Sequence, residues 1–564
     1  MSASTYDLSY RRAFFLAILL LGAVAFGMGR LAYFHFRPPS WVPPQPTGGE
    51  QISLPAQRGN IYDCNGYLLA VATTVYDIGA NPAYIEDKEA VADQLVPVLE
   101  ESKNKLLTLL HSSKGFVRLK RGVSAKVADK VRSLKKSGLR IEQRTSRYYP
   151  NSSLAACVLG FVREDGQPGY GLEAFYNDLL AGTEGHRQAT RDPFGSLYYD
   201  IQPPKDGAHL ILTLDRNLQA FADDALAKGV QAAGAAHGVA LVMDPATGSI
   251  LAMSVFPTYD PNLRDVADQH VFVNTAVSEH YEPGSVFKTV TMAAGLDSGV
   301  ITPESTYYDS GRIVVGGETI ENADKVAYGE TSMRGWLAHS YNVGAATVST
   351  KMGAFQFYEY VRRFGFAELT GADLAYEVPG RVRFPGDLDW HESDLATNSF
   401  GQGLAVTPLQ MLRAFAALAN QGVLMRPYIV SQIVNGDRVT QVKPQPLWAA
   451  VSAQAAAQTT EMLVYAVDHV LTVAAIPGYK VAGKSGTSQV PVPGGYDPDE
   501  TIASFAAFAP ADDPRAAVLV VVQQPQKEHG GLKAAAPICR DILKRALELL
   551  AVPPDGVRIA LQRQ

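Results

Sequence analysis

Cysteine is scarce in this 564-residue chain, which contains only Cys64, Cys157 and Cys539. They form no C-x-x-C pair, which excludes thiolate zinc sites of that type, thioredoxin-like redox chemistry and a disulfide-dense scaffold. The sequence leaves open whether Cys157 and Cys539 are free or paired. The 11 histidines include no H-E-x-x-H, and we expect neither a metal nor an organic cofactor. With 56 acidic and 50 basic side chains, the chain lacks a basic field for nucleic acid.

A long apolar run is present near the N-terminus. It begins at Ala13 and continues, interrupted by Arg30, to Phe36. A helix over residues 13–36 is long enough to cross a bilayer core of about 30 Å if the arginine reaches the interface. Two arginines precede the run, so the positive-inside rule puts residues 1–12 in the cytoplasm and the remainder outside. A cleaved signal peptide is the alternative, because the run contains an A-x-A match, but apolar sequence continues past it.

Residues 37–50 are rich in proline, and we expect them to form an extended linker. Two regions that differ in composition follow. Residues 51–230 are mixed and charge-rich, and we assign them to one exported domain. Residues 231–555 are more apolar and alternate strand and helix signals, including a hairpin pattern over 238–255. This pattern predicts an α/β or α+β enzyme domain. Residues 556–564 remain as a tail.

Local signals locate several elements of the second domain. Thr407 is a predicted helix N-cap with Gln410 as its capping-box partner. Runs rich in β-branched and aromatic residues at 504–510 and 516–525 predict strands, and a helix over 534–550 follows.

The most informative segment places Ser285 two residues after Pro283, near a predicted helix N-terminus. Lys288 is three residues further on and therefore lies on the same helical face. A serine needs a neighbouring base to become a nucleophile, and a lysine serves if its pKa is lowered. S-x-x-K alone is not specific, because two more matches lie in charged stretches, Ser102/Lys105 and Ser133/Lys136.

Two later motifs make the first one specific. Ser340-Tyr341-Asn342 and Lys484-Ser485-Gly486-Thr487 follow it in that order. The ordered triple S-x-x-K, S-x-N, K-[ST]-G is typical of serine acyl-transferases and hydrolases of the penicillin-binding and β-lactamase group. In that group the three motifs converge on one cleft from a helix, a loop and a strand.

Each motif predicts a chemical role. Ser285 attacks a carbonyl, Lys288 takes its proton, and Ser340 relays a proton to or from the leaving amine. Asn342 orients the lysine and donates to the substrate amide. Lys484 supplies positive potential that attracts a carboxylate and keeps the other lysine neutral.

The last motif also predicts substrate contacts. We assign Ser485, Gly486 and Thr487 to substrate binding. The glycine lets a substrate backbone approach the strand, and the threonine hydroxyl binds a carboxylate. The backbone N–H groups of Ser285 and Thr487 are predicted to form an oxyanion hole.

With these motifs, the sequence resembles the class B penicillin-binding proteins, which are monofunctional D,D-transpeptidases. The resemblance covers residues 58–555. Residues 57–70 are similar to the family motif R-G-x-I-x-D-R-x-G, except that Cys64 replaces an arginine, which puts one salt bridge in doubt. Residues 169–185 and 399–411 are similar to two further family motifs.

This resemblance implies a multidomain α+β fold. A cytoplasmic tail and a single membrane helix precede an elongated, mixed α/β pedestal of the dimerisation type over residues 51–230. The C-terminal transpeptidase domain, residues 231–555, is penicillin-binding and β-lactamase-like, with an antiparallel sheet flanked by helices. Arginine–carboxylate pairs are expected to hold the pedestal together.

The resemblance also implies peptidoglycan D,D-transpeptidation. A D-Ala-D-Ala stem peptide acylates the serine with release of D-alanine, an amine of a neighbouring stem resolves the acyl-enzyme, and β-lactams inhibit covalently. No glycosyltransferase sequence is seen, so polymerisation is expected from a membrane polymerase of the FtsW/RodA kind, alongside division-complex proteins. E-P-G-S and S-x-N-V-G favour the septal over the elongation type.

Three other functions remain open at this point: an elongation-type transpeptidase, a D,D-carboxypeptidase or β-lactamase-like hydrolase, and a catalytically idle division scaffold or β-lactam sensor. A β-lactamase needs neither anchor nor pedestal, and no deacylating glutamate can be placed. Intact motifs argue against an idle site.

Overall fold

The parts of the chain that the computed structural model describes are residues 4–36, 51–191, 197–492, 495–527 and 530–562. The predicted linker, residues 37–50, lies outside them. The chain divides into two compact units, which are Met1–Pro55 with Glu184–Pro204 and Ala56–Thr183 with Lys205–Gln564.

Helices occur in both units. The α-helices are α1 (Ser4–Phe36), α2 (Lys88–Leu99), α3 (Lys103–Leu110), α4 (Ala125–Ser133), α5 (Ala156–Leu159), α6 (Gly171–Phe175), α7 (Asn177–Leu180), α8 (Arg216–Ala233), α9 (Thr275–Ser278), α10 (Lys288–Asp297), α11 (Met333–His339), α12 (Asn342–Met352), α13 (Ala354–Arg363), α14 (Glu392–Ser399), α15 (Pro408–Ala419), α16 (Ala453–His469), α17 (Gly531–Ala534), α18 (Ala536–Leu549) and α19 (Asp555–Gln562). The 3₁₀ helices are Pro82–Tyr84, Pro261–Val266, Gln269–Phe272, Gly284–Phe287 and Thr472–Ala474.

Strands also occur in both units. They are β1 (Gln51–Leu54), β2 (Ile61–Tyr62), β3 (Leu68–Ala80), β4 (Val117–Val123), β5 (Leu139–Tyr148), β6 (Phe161–Val162), β7 (Pro168–Gly169), β8 (Gly185–Arg191), β9 (Leu197–Gln202), β10 (His209–Leu212), β11 (His237–Met243), β12 (Ile250–Phe256), β13 (Thr306–Asp309), β14 (Arg312–Val315), β15 (Glu318–Glu321), β16 (Gly329–Ser332), β17 (Val423–Met425), β18 (Val430–Asn435), β19 (Arg438–Gln441), β20 (Pro446–Ala449), β21 (Ala482–Val492), β22 (Gly495–Ala509) and β23 (Ala516–Gln523).

The first unit contains the N-terminal helix and a small sheet. Within α1, the 21 residues Ala13–Tyr33 are long and apolar enough to cross a membrane. The apolar helix predicted over 13–36 is therefore confirmed. Strands β1, β8 and β9 pair antiparallel in the order β1-β8-β9.

The second unit begins with a sheet of mixed direction. Its order is β19-β18-β10-β2-β3-β4, and β5 also pairs with β3. Helices α2, α3 and α4 bury Leu95, Leu106 and Ala128 against this sheet and each other. Strand β18 comes from the C-terminal half of the sequence and pairs with β10, so residues far apart in sequence share one sheet.

A buried cluster of charges lies in this region. Glu173 is 0% exposed and accepts one hydrogen bond from Arg58 Nε at 2.7 Å and another from Arg147 Nε at 2.5 Å. The second guanidinium also donates to the carbonyl of Gly59 at 2.7 Å. One buried and one partly buried cation face the same carboxylate, so removal of the glutamate takes the counter-charge from both. The structure thus contains the kind of pair expected in the pedestal.

Cys64, the departure from the family motif, is exposed. Its Sγ lies 4.0 Å from Oδ2 of Asp215. That oxygen accepts a hydrogen bond from Asn65 Nδ2 at 2.9 Å, so the carboxylate has a partner without an arginine at position 64. Partial burial of the sulfur atom and the neighbouring carboxylates of Asp215 and Asp63 raise the pKa of the Cys64 thiol to about 11. All three cysteines are free thiols.

The centre of the second unit is a five-stranded antiparallel sheet in the order β12-β11-β23-β22-β21. Side chains of a strand alternate between the two faces. On β23, Val518, Val520 and Val522 face helices α8 and α18. The intervening Leu519 and Val521 belong to the opposite layer, which includes α15. The hairpin predicted over 238–255 and both later strands are confirmed, as is an antiparallel sheet flanked by helices.

Helix boundaries follow their predicted signals in one case and depart from them in two. Helix α15 has the N-cap Thr407, whose side chain and that of Gln410 complete a capping box. The single helix predicted over 534–550 is interrupted at Ala535 and forms α17 and α18. Residues predicted as a tail include α19, where buried Arg558 pairs with Asp512 and Asp555.

Candidate active site

Ser285 lies in a short turn that leads into a helix. The 3₁₀ helix Gly284–Phe287 follows Pro283 and is continuous with α10, so the predicted helix start is confirmed. Val286 and Phe287 are fully buried and fix the turn in the core, whereas Ser285 is half-buried. Lys288 is the first residue of α10, one turn after the serine.

Glycines allow this turn to lie against two neighbouring segments. The N–H of Gly284 donates to the carbonyl of Gly401 at 3.0 Å. A Cβ at position 401, where φ is +83°, would lie 2.1 Å from the carbonyl oxygen of Gly284. The family-like stretch 399–411, to which no role was given from the sequence, thus packs its backbone against the serine turn.

Lys288 is 0% exposed and extends from α10 to the segment between α11 and α12. Its Nζ donates to Ser340 O at 2.5 Å and to Asn342 Oδ1 at 2.8 Å. A third, longer contact of 3.3 Å reaches Ser340 Oγ. The amide Nδ2 of Asn342 donates to the carbonyl of Glu321 at 3.0 Å. This hydrogen bond orients the amide so that its oxygen faces the lysine.

Ser340 has an unusual backbone conformation for a residue with a side chain. It ends α11 with φ of +66°, and its N–H donates to Trp336 O at 2.8 Å. Left-handed backbone is costly for a residue with a Cβ and is retained where surrounding contacts stabilise it. Here it lets both the carbonyl and the hydroxyl of one residue face Lys288.

Lys484 approaches the same hydroxyl from the edge strand β21. Its Nζ donates to Ser340 Oγ at 2.9 Å and to Ser485 O at 2.9 Å. It is also 0% exposed. The Ser340 hydroxyl therefore lies between two buried amines, and the three motifs meet through hydrogen bonds.

Burial sets the charge of both amines. It lowers the pKa of Lys484 to about 7. The pKa of Lys288 is also held well below that of an ordinary lysine, first by burial and then by the charge of Lys484. Since desolvation disfavours the charged form, the neutral amine that can accept a proton is accessible.

The remaining predicted substrate residues lie on β21, beside the serine turn. Ser485 is half-buried and Thr487 exposed. Gly486 is buried, and a Cβ there would lie 2.8 Å from Pro283 O and 2.3 Å from Ser504 Oγ. The strand and the turn therefore pack too closely for a side chain at this position. The sequence alone did not reveal this reason for the glycine. Thr487 Oγ1 accepts a hydrogen bond from the N–H of Gly531 at 3.2 Å.

Glu282 is a buried residue at the site that the sequence reasoning missed. Its backbone carbonyl accepts from Ser488 Oγ at 2.7 Å, which ties the segment before the serine to β21. The only available signal was its position in E-P-G-S, where a charged residue precedes a buried turn. No cluster of three or more metal-ligating side chains occurs in the parts of the chain that the structure describes.

The basic side chain one helical turn after the serine is a lysine rather than a histidine, which limits the reactions that the site can catalyse. Such pairs transfer acyl groups through a covalent serine intermediate, with the amine as proton acceptor. The position of Ser340 between two amines suits a proton relay. Fold and site together define a serine acyl-transfer enzyme.

Comparison with known proteins makes this class more specific. Residues 238–544 match the penicillin binding protein transpeptidase domain, and residues 53–212 match the penicillin-binding protein dimerisation domain. The chain therefore belongs to the penicillin-binding protein transpeptidase family and is a serine-type transpeptidase.

Individual relatives match over nearly the whole chain. "Probable peptidoglycan D,D-transpeptidase PbpC" of Pseudomonas aeruginosa is 33% identical, over 98% of this chain and 97% of its own. Peptidoglycan D,D-transpeptidase FtsI of Escherichia coli is 30% identical, over 98% and 93%. The crystal structure of penicillin binding protein 3 from Mycobacterium tuberculosis, complexed with aztreonam, is 28% identical with a TM-score of 0.70, over 89% and 98%.

Proposed function

We propose that this chain cross-links peptidoglycan stem peptides through an acyl-enzyme at Ser285. The observation that carries the proposal is the hydrogen-bonded set of Lys288, Ser340 and Lys484, in which Lys288 lies one helical turn after the serine. The serine Oγ attacks the carbonyl of the D-Ala-D-Ala bond, and Lys288 accepts its proton. The proton passes through Ser340 to the leaving D-alanine. A neutral amine of a second stem then attacks the ester carbonyl; the bond to Ser285 Oγ breaks as the new peptide bond forms, and the proton of the amine returns to the serine oxygen through Lys288.

Asn342 and Lys484 have supporting roles in this proposal. Asn342 Oδ1 fixes the direction of the Lys288 amine. When Lys484 is charged, it attracts the substrate carboxylate and disfavours a proton on Lys288. Thr487 and Ser485 bind the substrate beside it.

The free edge of β21 supports the proposed oxyanion hole. The Ser485 carbonyl accepts a hydrogen bond from Lys484 Nζ. Backbone groups of an edge strand alternate between the paired and the open side, so the N–H of Thr487 belongs with this carbonyl on the open side. With the N–H of Ser285 it provides two donors, and one such donor stabilises a transition state by about 3–4 kcal/mol.

The domain assignment and membrane orientation belong to the same proposal. Residues 1–12 are cytoplasmic, 13–36 the anchor, 37–50 the linker, 51–230 the pedestal and 231–555 the extracytoplasmic transpeptidase domain. A stem peptide is assembled into wall outside the cell membrane, where this topology puts the serine. β-Lactams acylate the same serine.

A septal role follows from the similarity to FtsI together with E-P-G-S and S-x-N-V-G. Its partners are then a membrane glycan polymerase of the FtsW/RodA kind and division-complex proteins. Depletion of the protein from growing cells tests this. Filaments with unfinished septa are expected, and rounded cells that still divide would support the elongation type instead.

The interaction between the two lysines predicts a pH effect of Lys484→Met. Below pH 7 Lys484 is mostly charged and repels a proton from Lys288. Removing that charge raises the pKa of Lys288, so the acid limb of penicillin acylation rate against pH moves to higher pH. Stopped-flow or gel-based acylation rates across pH 5–9 measure the limb.

Lys480→Met is the matched control for this prediction. Lys480 is an exposed lysine four residues earlier in the chain, and its loss should leave the limb unchanged. A limb that stays in place in Lys484→Met, or moves to lower pH, would contradict the proposed coupling.

A further inference from the structure

A cavity of about 1040 Å³ adjoins the serine turn without including the proposed catalytic residues. Its walls are the segment 279–282, parts of 380–405 and the hairpin of β21 with β22. Glu282 lies in its lining, three residues before Ser285. Glu282 therefore belongs both to the wall of the cavity and to the segment that leads into the serine turn.

One carboxylate oxygen of Glu282 has no hydrogen-bond donor among the described residues. Its Oε1 accepts from the N–H of Gly403 at 3.0 Å and from the hydroxyl of Tyr496 at 3.2 Å. Its Oε2 is buried and accepts no hydrogen bond from any group in the described parts of the chain. The residue as a whole is only 7% exposed. A buried carboxylate oxygen without a donor is costly and calls for a functional explanation.

The charges around the cavity are predominantly negative. Its acidic side chains are Glu279, Glu282, Asp387 and Asp389. Its permanently charged basic side chains are Arg381 and Arg383, and the latter donates to Asp394 at 2.8 Å; His237 and His280 also line it. Four carboxylates outnumber two guanidinium groups, so the cavity favours a cationic ligand.

We propose that this cavity binds the amine-bearing acceptor stem peptide, whose ammonium group pairs with Oε2 of Glu282. The inference rests on the proposed function, because only a transpeptidase needs an amine acceptor beside its acyl-enzyme. An ammonium group supplies the hydrogen bond that Oε2 lacks and adds to the positive charge of Arg383, which already acts on this carboxylate. Burial raises the pKa of Glu282 to about 7, and a bound cation favours the ionised carboxylate.

Acyl transfer by the full chain in detergent tests the proposal. The donor is a thioester analogue of the D-Ala-D-Ala stem, and two acceptors are compared. A tripeptide with a free lysine amine is cationic at pH 7.5, whereas hydroxylamine is uncharged. Glu282→Gln should raise the KM for the tripeptide at least tenfold and that for hydroxylamine less than twofold.

Controls separate this proposal from the function on which it rests. Glu392→Gln, an exposed glutamate outside the cavity, should change neither KM. If wild type forms no acyl-enzyme, the proposed function itself fails. If Glu282→Gln handles both acceptors like wild type, only the acceptor site is overturned. Loss of the penicillin adduct in Glu282→Gln would also overturn it, in favour of a role in shaping the serine turn.

If Glu282→Gln does not fold, the proposal can be tested on the wild-type protein by comparing a cationic with a neutral ligand. The same tripeptide with a trimethylated lysine keeps its charge but cannot attack, and the acetylated form is neutral. The cationic form should inhibit transfer to the lysine tripeptide at least tenfold more strongly than the neutral form. Equal inhibition by both would contradict a cation-binding cavity.

Discussion

A Ser285→Ala protein is expected to form no covalent adduct with a fluorescent penicillin, and its transpeptidation rate should fall by about 10⁴-fold or more. In the proposed mechanism the serine hydroxyl is the only group at the turn that becomes acylated. Its side chain is half-buried, so the change should alter the free energy of unfolding by less than about 1 kcal/mol. Gel fluorescence and thermal denaturation measure the two effects.

The chain provides its own control for this substitution. Ser133 belongs to another S-x-x-K match, is exposed, and donates only to the carbonyl of Lys130 at 2.7 Å. Ser133→Ala should label like wild type. Adduct formation that persists in Ser285→Ala would assign the nucleophile to another residue.

A Lys288→Met protein is expected to keep its fold but to acylate about 10²–10⁴ times more slowly, the usual contribution of a positioned base. Methionine approximates the length and volume of the buried lysine chain but cannot accept a proton. The substitution also removes the donor to Ser340 O and Asn342 Oδ1, which loosens the proton relay. Penicillin acylation rates measure the loss, and circular dichroism verifies the fold.

Two comparisons sharpen this result. Lys136→Met changes the exposed lysine of the other S-x-x-K match and should leave the rate unaltered. Lys288→Arg keeps a cation that does not lose its proton near neutral pH, so it should be at least as slow as Lys288→Met. A Lys288→Met protein that acylates at the wild-type rate would transfer the base role to Lys484.

The order and residue types of the three motifs, through the group that they resemble, led to the expectation that Lys288, Ser340, Asn342 and Lys484 meet, and hydrogen bonds join these four side chains. Ser285 and Lys288 are fixed by local helix geometry, since residues three apart share a face. The capping box of α15 was equally readable, because Thr407 and Gln410 are only three residues apart. The hairpin pattern over 238–255 and the strand-like runs at 504–510 and 516–525 likewise predicted strands of the central sheet.

Features that depend on distant backbone contacts could not be predicted in this way. The left-handed conformation of Ser340, the contact of Gly401 with the serine turn and the pairing of β18 with β10 join segments far apart in sequence. The unpaired oxygen of Glu282 is of the same kind, because its burial depends on Gly403 and Tyr496. Local patterns contain no information on such register and packing.

The central claim is that a hydroxyl beside a buried, neutral amine becomes acylated where three distant segments meet. Mass spectrometry of the penicillin adduct of the wild-type protein, digested and sequenced, tests it most directly. We expect a single modified residue, Ser285, in the peptide that spans the serine turn. An adduct on any other side chain, or none after prolonged incubation, would contradict it.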